Sequence, residues 1–351
     1  MTLEQVLNEI RRGDPKAFQG VLEHWDSLAK PLGSLGELER AVARIGAITG
    51  NIDVRLDQRT LLVFCADNGV VAQGVSQSGP DVTAAVATAL GAGVSTVNYL
   101  ARGANCQVVP VDLGILDFSG APGVENYRVR NGTGDITQGP AMTREECVRA
   151  IEAGIRLVGR EVERGTHVVL LGEMGIANTT TSSALACGLL HLPAEKLTGR
   201  GAGLSDEGLR RKVKAIESAF QVNTPDVSDP IDLLSKVGGL DLAALCGACI
   251  GGALYRVPVL LDGLITAAAA LCAVRLCPAV GDCLLASHVS AEPAAQLLLE
   301  ALNLRPLISA GLRLGEGSGA VCALPLLDLA LEVYHSGHTF GHLGIEAYTP
   351  Q

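Results

Sequence analysis

Short runs of apolar residues recur along the chain with the length and spacing of buried strands. Most of these runs lie beside a small-residue stretch with helical periodicity, such as residues 82–100 and 144–160. Strands that alternate with helices predict an α/β fold, with a mostly parallel sheet and helices on both faces in a Rossmann-like three-layer arrangement. The predicted strands are residues 60–66, 106–111, 167–171, 257–261 and 283–286.

The two chain ends differ from this alternating pattern. Residues 1–50 are helical in pattern and richer in charge, with a break at residues 30–36. Residues 333–351 form a distinct tail that contains Gly337, Gly341 and Gly344. We expect residues 1–50 and 333–351 to form a small helical subdomain that packs against an α/β domain of residues 51–332.

The most apolar region, residues 237–277, raises the question of a membrane span. Its longest stretches without a charge are residues 242–255 and 263–274, and both are shorter than the roughly 20 residues that cross a bilayer. We therefore expect buried helices and strands there and no membrane partner. The chain also starts without a basic region followed by an apolar one, so no export signal is predicted.

Composition narrows the class of protein further. The chain has 351 residues, 48% of them hydrophobic, and a formal net charge of −10. This hydrophobicity excludes intrinsic disorder, and the acidic balance with only 3% aromatic residues argues against a nucleic-acid partner. The 42 glycines suit a membrane protein or an enzyme whose backbone approaches a ligand closely, and the run lengths favour the enzyme.

The ten cysteines are dispersed singly through apolar segments, where a free cysteine behaves as a small hydrophobe. Cys246 and Cys249 have the spacing of a metal-binding pair, but no second pair or nearby histidine completes a zinc site. His335, His338 and His342 imitate a metal cluster, yet their Gly-rich terminal position favours a solvated tail. We expect no metal, no cofactor and a reducing cytoplasm.

Polar residues follow the predicted strands where each one ends. Because ligands of open α/β sheets bind outside the carboxyl ends of the strands, the repetition predicts a polar small-molecule site. The residues that follow the strands are Asp67, Asp112, Glu173, Asp262 and the pair Ser287 and His288.

The segment 170–181 joins a predicted strand to a helix that opens with Asn178 and three threonines. Free backbone N–H groups and hydroxyls at such a helix start make an anion site suited to a phosphate. An ordinary N-cap after a tight turn remains an equal alternative, because Asn and Thr also serve that role.

A second Gly-rich segment, residues 199–208, precedes a helix with acidic residues in its first turn. It lacks the preceding strand and the spacing of the dinucleotide-binding fingerprint. Lys212 on the following helix is a candidate to neutralise a phosphate, and a solvated helix face is the alternative.

A third segment places Glu316 between Gly315 and Gly317, ahead of the apolar helix predicted at residues 321–331. A lone carboxylate flanked by glycines is open to close approach by a flat ligand and suits a general base. The alternative is a turn glutamate near a helix start. The motifs of kinases and of serine hydrolases are absent from the sequence.

Taken together and in order, these motifs resemble the nicotinate-nucleotide–dimethylbenzimidazole phosphoribosyltransferase family, which makes the lower-ligand nucleotide of cobalamin. The resemblance spans roughly residues 20 to 330. The matching blocks are Lys30-Pro-Leu-Gly-Ser-Leu-Gly, Ala66-Asp-Asn-Gly-Val, Gly172-Glu-Met-Gly-Ile-Ala-Asn-Thr-Thr, Gly199-Arg-Gly-Ala-Gly-Leu, Asp262-Gly, Ser287-His-Val-Ser-Ala-Glu-Pro and Gly315-Glu-Gly-Ser-Gly-Ala.

The resemblance implies transfer of the 5-phosphoribosyl group of nicotinate mononucleotide to 5,6-dimethylbenzimidazole. The products would be α-ribazole 5′-phosphate and nicotinate, with inversion at the anomeric carbon. Glu316 would be the general base, residues 51–332 the catalytic domain, and the protein a homodimer whose partner completes the base pocket.

The resemblance also implies a set of substrate-binding residues. Glu173 and Lys212 would orient the ribose and phosphate. The turn at residues 175–180, with Gly201, Gly203 and Ser290, would cradle the phosphate, and residues 67–86, which include Ser78, would contribute to the base pocket. Because aromatic residues are scarce, we expect the base to meet Leu, Val, Met and backbone. The full set is Asp67, Ser78, Glu173, Gly175, Ile176, Asn178, Thr179, Thr180, Gly201, Gly203, Lys212, Asp262, Ser290 and Gly315.

The sequence departs from the family pattern near the predicted base pocket and phosphate turn. Asn68 stands where His is expected, Ala177 replaces a common Gly, and Gly79 with Pro80 ends an atypical stretch. Adenine, other benzimidazoles or phenols are therefore alternative acceptors, and a non-catalytic nucleotide-binding protein is the remaining alternative.

Overall fold

Seven strands form one parallel sheet in the computed structural model, which describes residues 2–348. Met1 and residues 349–351, the last part of the predicted tail, lie outside the described residues. The strands are β1 (Arg59–Ala66), β2 (Gln107–Gly114), β3 (Glu125–Asn126), β4 (Val168–Met174), β5 (Val259–Leu261), β6 (Leu284–His288) and β7 (Pro306–Ile308).

Fifteen α-helices are present in this part of the chain, with two 3₁₀ helices at Gly69–Gln73 and Pro278–Cys283. The α-helices are α1 (Leu3–Glu9), α2 (Pro15–Ser27), α3 (Glu37–Thr49), α4 (Asp81–Gly91), α5 (Thr96–Gly103), α6 (Arg144–Glu163), α7 (Asn178–Leu190), α8 (Ala194–Leu197), α9 (Asp206–Asn223), α10 (Pro230–Val237), α11 (Leu240–Leu254), α12 (Leu264–Leu276), α13 (Ala294–Ala301), α14 (Ser318–Tyr334) and α15 (Phe340–Leu343).

The order of the strands fixes where a ligand can bind. The sheet runs β3-β2-β1-β4-β5-β6-β7, and every pair of neighbours is parallel. The chain therefore builds outward from β1 in one direction, then returns to add β4 on the other side of β1. This switch point leaves a crevice at the carboxyl ends of the strands, as the α/β prediction requires.

Helices cover both faces of the sheet, which confirms the predicted three-layer fold. Alternate residues of β1 point to opposite cores: Leu62 and Phe64 pack with α6, α11 and α12, whereas Leu61 and Val63 pack with α2, α3 and α14. Both faces are apolar because a parallel sheet of this kind is buried on both sides.

Several predicted boundaries are wrong in detail. The helix expected at residues 82–100 is two helices, because Gly93 adopts a left-handed conformation with φ +76° and Ser95 caps α5 with a capping box. Strands β3 and β7 are absent from the prediction. They have two and three residues, too few for a hydrophobic period to be visible.

Some glycines lie at contacts between helices, so the high glycine content is only partly explained by close approach of the backbone to a ligand. Gly154 of α6 and Gly247 of α11 sit where the two helices touch, and a β-carbon at either position would overlap the opposite backbone. Helix α11 is buried around its whole circumference apart from Leu254. Small residues at this contact allow the close packing of two core helices.

The chain ends pack on the same core as the sheet. Trp25 of α2 and Tyr334 of α14 contact each other edge to face, with ring centroids 5.0 Å apart, and Leu28 forms a bridge with Thr339. The predicted break at residues 30–36 lies between α2 and α3. The boundaries of a separate subdomain stay a prediction.

One helical segment, Asp81–Gly103, is long and apolar enough to cross a membrane by length and composition. It comprises α4 and α5 with the bend between them, and a third of its most apolar window is buried. The region at residues 237–277 forms α11, β5 and α12, which are core elements as predicted.

Candidate active site

A cleft of about 320 Å³ lies beyond the carboxyl ends of β4, β5 and β6. Each of these strands delivers a polar residue to it: Glu173 from β4, Asp262 just after β5 and His288 from β6. The structure therefore brings these three strand ends together at one cleft, and the binding of a ligand there stays a prediction. At β2 the expectation is wrong, because Asp112 pairs with Arg128 at 2.9 Å and does not line the cleft.

Glu316 stands on a tight left-handed turn at the cleft edge. Gly315, Glu316 and Gly317 have φ values of +87°, +60° and +85°. Glycine adopts this conformation without strain, whereas glutamate pays a conformational cost that the surrounding structure must offset. Strain of this kind at a cleft residue fits a functional requirement for its side chain.

The Glu316 carboxylate is held at one oxygen only. Its Oε2 accepts a hydrogen bond from the backbone N–H of Val97, at 3.3 Å, in the first turn of α5. Within residues 2–348, Oε1 has no hydrogen-bond partner. The side chain is partly exposed and lines the cleft, so a proton can be accepted from a bound ligand.

Asp262 ties the end of β5 to the helix that follows the Glu316 turn. Its Oδ1 accepts hydrogen bonds from the N–H groups of Gly319 and Ala320 in α14, at 2.7 and 3.2 Å. Burial raises the pKa of Asp262 to about 7, although these backbone bonds oppose the rise. His288 lies 3.7 Å away through Nδ1, and burial lowers its pKa, so its ring is neutral at pH 7.

Two buried carboxyls share one amide group beneath the cleft. Asn178 Nδ2 donates to Glu173 Oε2 and also to Asp241 Oδ2, the latter at 3.0 Å. Burial raises the pKa of Glu173 to about 8 and that of Asp241 to about 6. Glu173 is therefore protonated at neutral pH, and it can donate a hydrogen bond as well as accept one.

The start of α7 matches an anion site better than an ordinary side-chain cap. Its N-cap residue is Ala177, with φ +71°, and it supplies no side-chain hydrogen bond. The Thr180 hydroxyl is buried without a partner among residues 2–348. The N–H groups of Asn178 and Thr180 already donate to backbone carbonyls, at 3.1 and 2.9 Å, so the uncapped helix start attracts an anion mainly through its positive dipole end.

Lys212 reaches this helix start from α9. The side chain is fully buried, and its Nζ donates to Thr179 Oγ1 at 2.8 Å and to the carbonyl of Gly199 at 3.2 Å. Burial lowers the pKa of Lys212 to about 8. The alternative of a solvated helix face is excluded, and an anion at the α7 start would find this ammonium group beside it.

Glu292 occupies part of the same region. Its Oε1 accepts a hydrogen bond from the N–H of Gly201 at 2.9 Å, and its Oε2 is buried without a partner among the described residues. The Gly201 amide, predicted to contact phosphate, is therefore bound to a carboxylate in this structure. A phosphate can accept that N–H only after the Glu292 side chain moves.

Most of the predicted site residues meet in the cleft. The ones that line it are Ser78, Glu173, Gly175, Ile176, Asn178, Thr179, Gly201, Asp262, Ser290, Gly315 and Glu316. Four others do not line it: Asp67, Thr180, Gly203 and Lys212.

Asp67 and Gly203 contact neighbours of the cleft without lining it. Asp67 Oδ1 accepts from Thr83 Oγ1 at 2.6 Å, and that hydroxyl accepts from the N–H of Ile176 at 3.1 Å. The carbonyl of Gly203 accepts a hydrogen bond from Gln77, which lines the cleft. Both residues are therefore connected to the cleft lining through neighbouring side chains.

Sequence reasoning missed two contributors, Asp241 and the contact made by Glu292. Asp241 begins an otherwise apolar buried helix, and an isolated buried charge is a recognisable signal of a functional region. Within residues 2–348, no group of three or more His, Cys, Asp or Glu side chains is placed to hold a metal ion.

The remaining wall of the cleft is apolar. It carries no Phe, Tyr or Trp within the part of the chain that the structure describes, and its side chains are of the types that the sequence predicts. The apolar lining residues include Val75, Val82, Val86, Met174, Ile176, Leu204, Leu264, Ile265 and Leu314.

A family model and several relatives of known name match almost the whole chain. A family model described as Phosphoribosyltransferase matches residues 10–345. The nicotinate-nucleotide–dimethylbenzimidazole phosphoribosyltransferase of Ruminiclostridium cellulolyticum is 44% identical over 350 residues, which cover 100% of this chain and 99% of the relative. The protein of the same name from Acetivibrio thermocellus is 44% identical over 349 residues, with 99% of each chain covered.

A solved structure shows the same fold. The crystal structure of CobT from Thermus thermophilus matches with a TM-score of 0.89 and 38% sequence identity. The match covers 95% of this chain and 100% of that one.

Proposed function

The chain belongs to the phosphoribosyltransferase family whose model it matches, as the sequence resemblance predicts, and we propose that it transfers a phosphoribosyl group from nicotinate mononucleotide to a benzimidazole-type base. With 5,6-dimethylbenzimidazole as the acceptor, the products are α-ribazole 5′-phosphate and nicotinate. This reaction supplies the nucleotide loop of cobalamin.

The observation that carries the proposal is the position of Glu316 at the cleft edge, where one oxygen accepts a hydrogen bond and the other has no partner among the described residues. A neutral benzimidazole has one ring N–H and one nitrogen with a free electron pair. As that pair attacks the anomeric carbon, the N–H proton passes to Glu316 Oε1, and the base remains neutral in the product.

The leaving group needs no acid. The nicotinate nitrogen is a pyridinium in the substrate, and it takes the electrons of the broken C–N bond and leaves as a neutral ring nitrogen. Attack from the opposite face inverts the anomeric carbon. One general base and correct positioning of the two reactants therefore account for the chemistry.

The phosphate of the nucleotide is proposed to bind at the start of α7, beside Lys212. The uncapped helix N-terminus provides its positive dipole end, and the buried ammonium group supplies a full positive charge. Glu173, protonated at neutral pH, is placed in the cleft to donate a hydrogen bond to the ribose. The roles of these residues rest on their geometry and on the family resemblance.

The acceptor base is proposed to lie against the apolar wall and Ser78. Such a wall contacts a flat ring through aliphatic side chains and does not demand one pattern of hydrogen bonds. Of the residues that depart from the family pattern, Asn68 is buried behind the lining, where its Oδ1 accepts from Thr181 Oγ1 at 3.2 Å. Ala177 lines the cleft directly.

We also propose that the protein is a homodimer of the cytoplasm. The exposed side of α4 and α5 supports the dimer, since Val94 and Tyr99 expose 56% and 61% of their surface on an apolar segment. Large apolar side chains grouped on a surface are typical of subunit contacts. All ten cysteines are free, which is typical of a reducing compartment.

The experiment that tests the function is a product assay with a panel of bases. The purified protein is incubated with nicotinate mononucleotide and, separately, 5,6-dimethylbenzimidazole, adenine or a phenol, and the products are identified by mass. Release of nicotinate with α-ribazole 5′-phosphate supports the proposal. A product with adenine or the phenol alone assigns a different acceptor, and binding without any product supports the non-catalytic alternative.

A further inference from the structure

A second cavity lies between the β6–β7 edge of the sheet and helices α2 and α3. It encloses about 400 Å³ and shares no lining residue with the cleft. Its walls come from α2, α3, β6, β7 and the segment that precedes β7. The proposed transfer reaction makes no use of it.

The cavity concentrates positive charge on an acidic protein. Helix α3 presents Glu37, Arg40 and Arg44 to it at spacings that share one helix face, and Arg305 adds a third guanidinium. Glu37 is the one carboxylate among the lining residues that the structure describes, and it lies 3.8 Å from Arg40 and 3.3 Å from Arg305. Three cations therefore face one anion, on a chain with a net charge of −10.

Arg44 is the most buried of the three cations, and not all of its N–H donors have a partner among the described residues. Its Nη2 donates to the carbonyl of Gly281 at 2.7 Å, while its Nε is shielded from solvent without a partner among residues 2–348. Burial lowers the pKa of this guanidinium. Arg40 and Arg44, one helical turn apart, also repel each other unless an anion lies between them.

The inner walls of the cavity are apolar. Phe18 and Leu22 of α2 lie one turn apart and face it, and the sheet side contributes Leu285, Leu304 and Leu307. Apolar walls with a few convergent polar groups are typical of small-molecule sites, and guanidinium groups pair best with carboxylates and phosphates.

We propose that this cavity binds a small organic acid, with a compact apolar body against the leucine wall and a carboxylate between Arg40 and Arg44. Inorganic phosphate has no apolar part that could contact Leu285, Leu304 and Leu307, so it is expected to bind more weakly than such an acid. A neutral amide of the same shape lacks the negative charge that pairs with the two guanidinium groups, so it is also expected to bind more weakly. The proposal does not depend on the transfer reaction in the cleft.

Calorimetric titration of the full chain with benzoate tests the proposal, since benzoate has an apolar ring and one carboxylate. We expect saturable binding to the wild type, and a loss of affinity of about tenfold or more in Arg40→Gln and Arg44→Gln. Benzamide and inorganic phosphate should each bind at least about tenfold more weakly than benzoate. The Arg40 side chain is 63% exposed, so its variant is expected to fold normally.

Three further variants distinguish this cavity from the rest of the surface. Arg156→Gln removes the same charge from α6, where its only ion pair among residues 2–348 is a 3.8 Å contact with Glu152, and should bind benzoate as the wild type does. Leu307→Trp fills the cavity and should abolish binding. Ala202→Trp fills the cleft instead and should leave binding unchanged.

Absence of saturable benzoate binding to the wild type would overturn the proposal. So would binding that survives Leu307→Trp or disappears in Ala202→Trp, because benzoate would then occupy the cleft or the general surface. The product assay is run on the same preparations, so failure of the cavity proposal and failure of the transferase proposal give separate results.

Discussion

The backbone of Glu316 rests directly on the α-carbon of Gly172. A β-carbon at position 172 would lie 2.5 Å from the carbonyl oxygen of Glu316, well inside van der Waals contact. Gly172 lies within β4, so the position of the turn that carries Glu316 is determined by its contact with the sheet. The glycine of the strand and the strained glutamate of the turn form one structural unit.

Gly172→Ala should therefore displace the Glu316 turn. Because a displacement of about 1 Å in a catalytic group can lower a rate about a hundredfold, we expect kcat to fall by about that factor while nicotinate mononucleotide still binds. Gly139→Ala is the matched control, since a β-carbon there meets no atom within 4 Å. Wild-type kcat in Gly172→Ala, measured in the transfer assay, would show that the contact does not position Glu316.

Glu173 should make the stability of the ligand-free protein depend on pH. Its folded pKa of about 8 is above the value of 4.5 for an ordinary glutamate, so the folded state binds the proton more tightly. The stabilisation is complete below about pH 4.5 and is lost as the pH rises through about 8. Glu173→Gln cannot ionise and should not lose stability in this way. The free energy of unfolding of the variant minus that of the wild type should therefore increase by a few kcal/mol from pH 5 to pH 9.

Denaturant unfolding of both proteins at the two pH values measures this difference. Glu300→Gln, at an exposed position of α13, serves as the control and should show no such trend. An equal stability difference at pH 5 and pH 9 would mean that Glu173 is not buried as a neutral acid.

Lys212 should make substrate binding weaken in alkaline solution. Its pKa of about 8 leaves the amine protonated at pH 7 and neutral at pH 9.5, where it no longer attracts a phosphate. We expect the Kd for nicotinate mononucleotide to rise about tenfold per pH unit above pH 8. Lys212→Met should bind weakly at pH 7 and lose this dependence; a steep pH profile retained in that variant would assign the titration to another group.

Glu292 should oppose phosphate binding, because its carboxylate holds the Gly201 N–H and lies in the region of the proposed phosphate site. Glu292→Gln removes the charge and preserves the shape. We expect several-fold tighter binding of inorganic phosphate and of nicotinate mononucleotide, measured by calorimetry. Weaker binding in the variant would indicate that Glu292 contacts the substrate favourably, for example at a ribose hydroxyl.

The sequence predicts the parts of the site that depend on strand ends and on local motifs. Glu173 and Asp262 follow from the rule that ligands bind beyond the carboxyl ends of parallel strands, and Glu316 follows from its flanking glycines. The fold class was accessible for the same reason, because buried parallel strands are continuous apolar runs.

The remaining parts depend on contacts between distant segments. Asp241 meets Asn178 only because α11 packs beneath the sheet, and no local pattern encodes that distance. The Glu292 contact with Gly201 requires two loops to approach each other. The break between α4 and α5 was visible in principle, since Gly91 and Gly93 interrupt the helical pattern, but the apolar period continues across them.

The central claim is that Glu316 accepts the proton of the incoming base, and Glu316→Gln tests it most directly. The amide can still accept the Val97 hydrogen bond, so the turn is retained, but it cannot take a proton. The measurement is kcat for transfer from nicotinate mononucleotide to 5,6-dimethylbenzimidazole, beside the Kd for the nucleotide. We predict a fall in kcat of about 10²- to 10⁴-fold with the Kd within about twofold of the wild type. Wild-type kcat in Glu316→Gln would contradict the assignment.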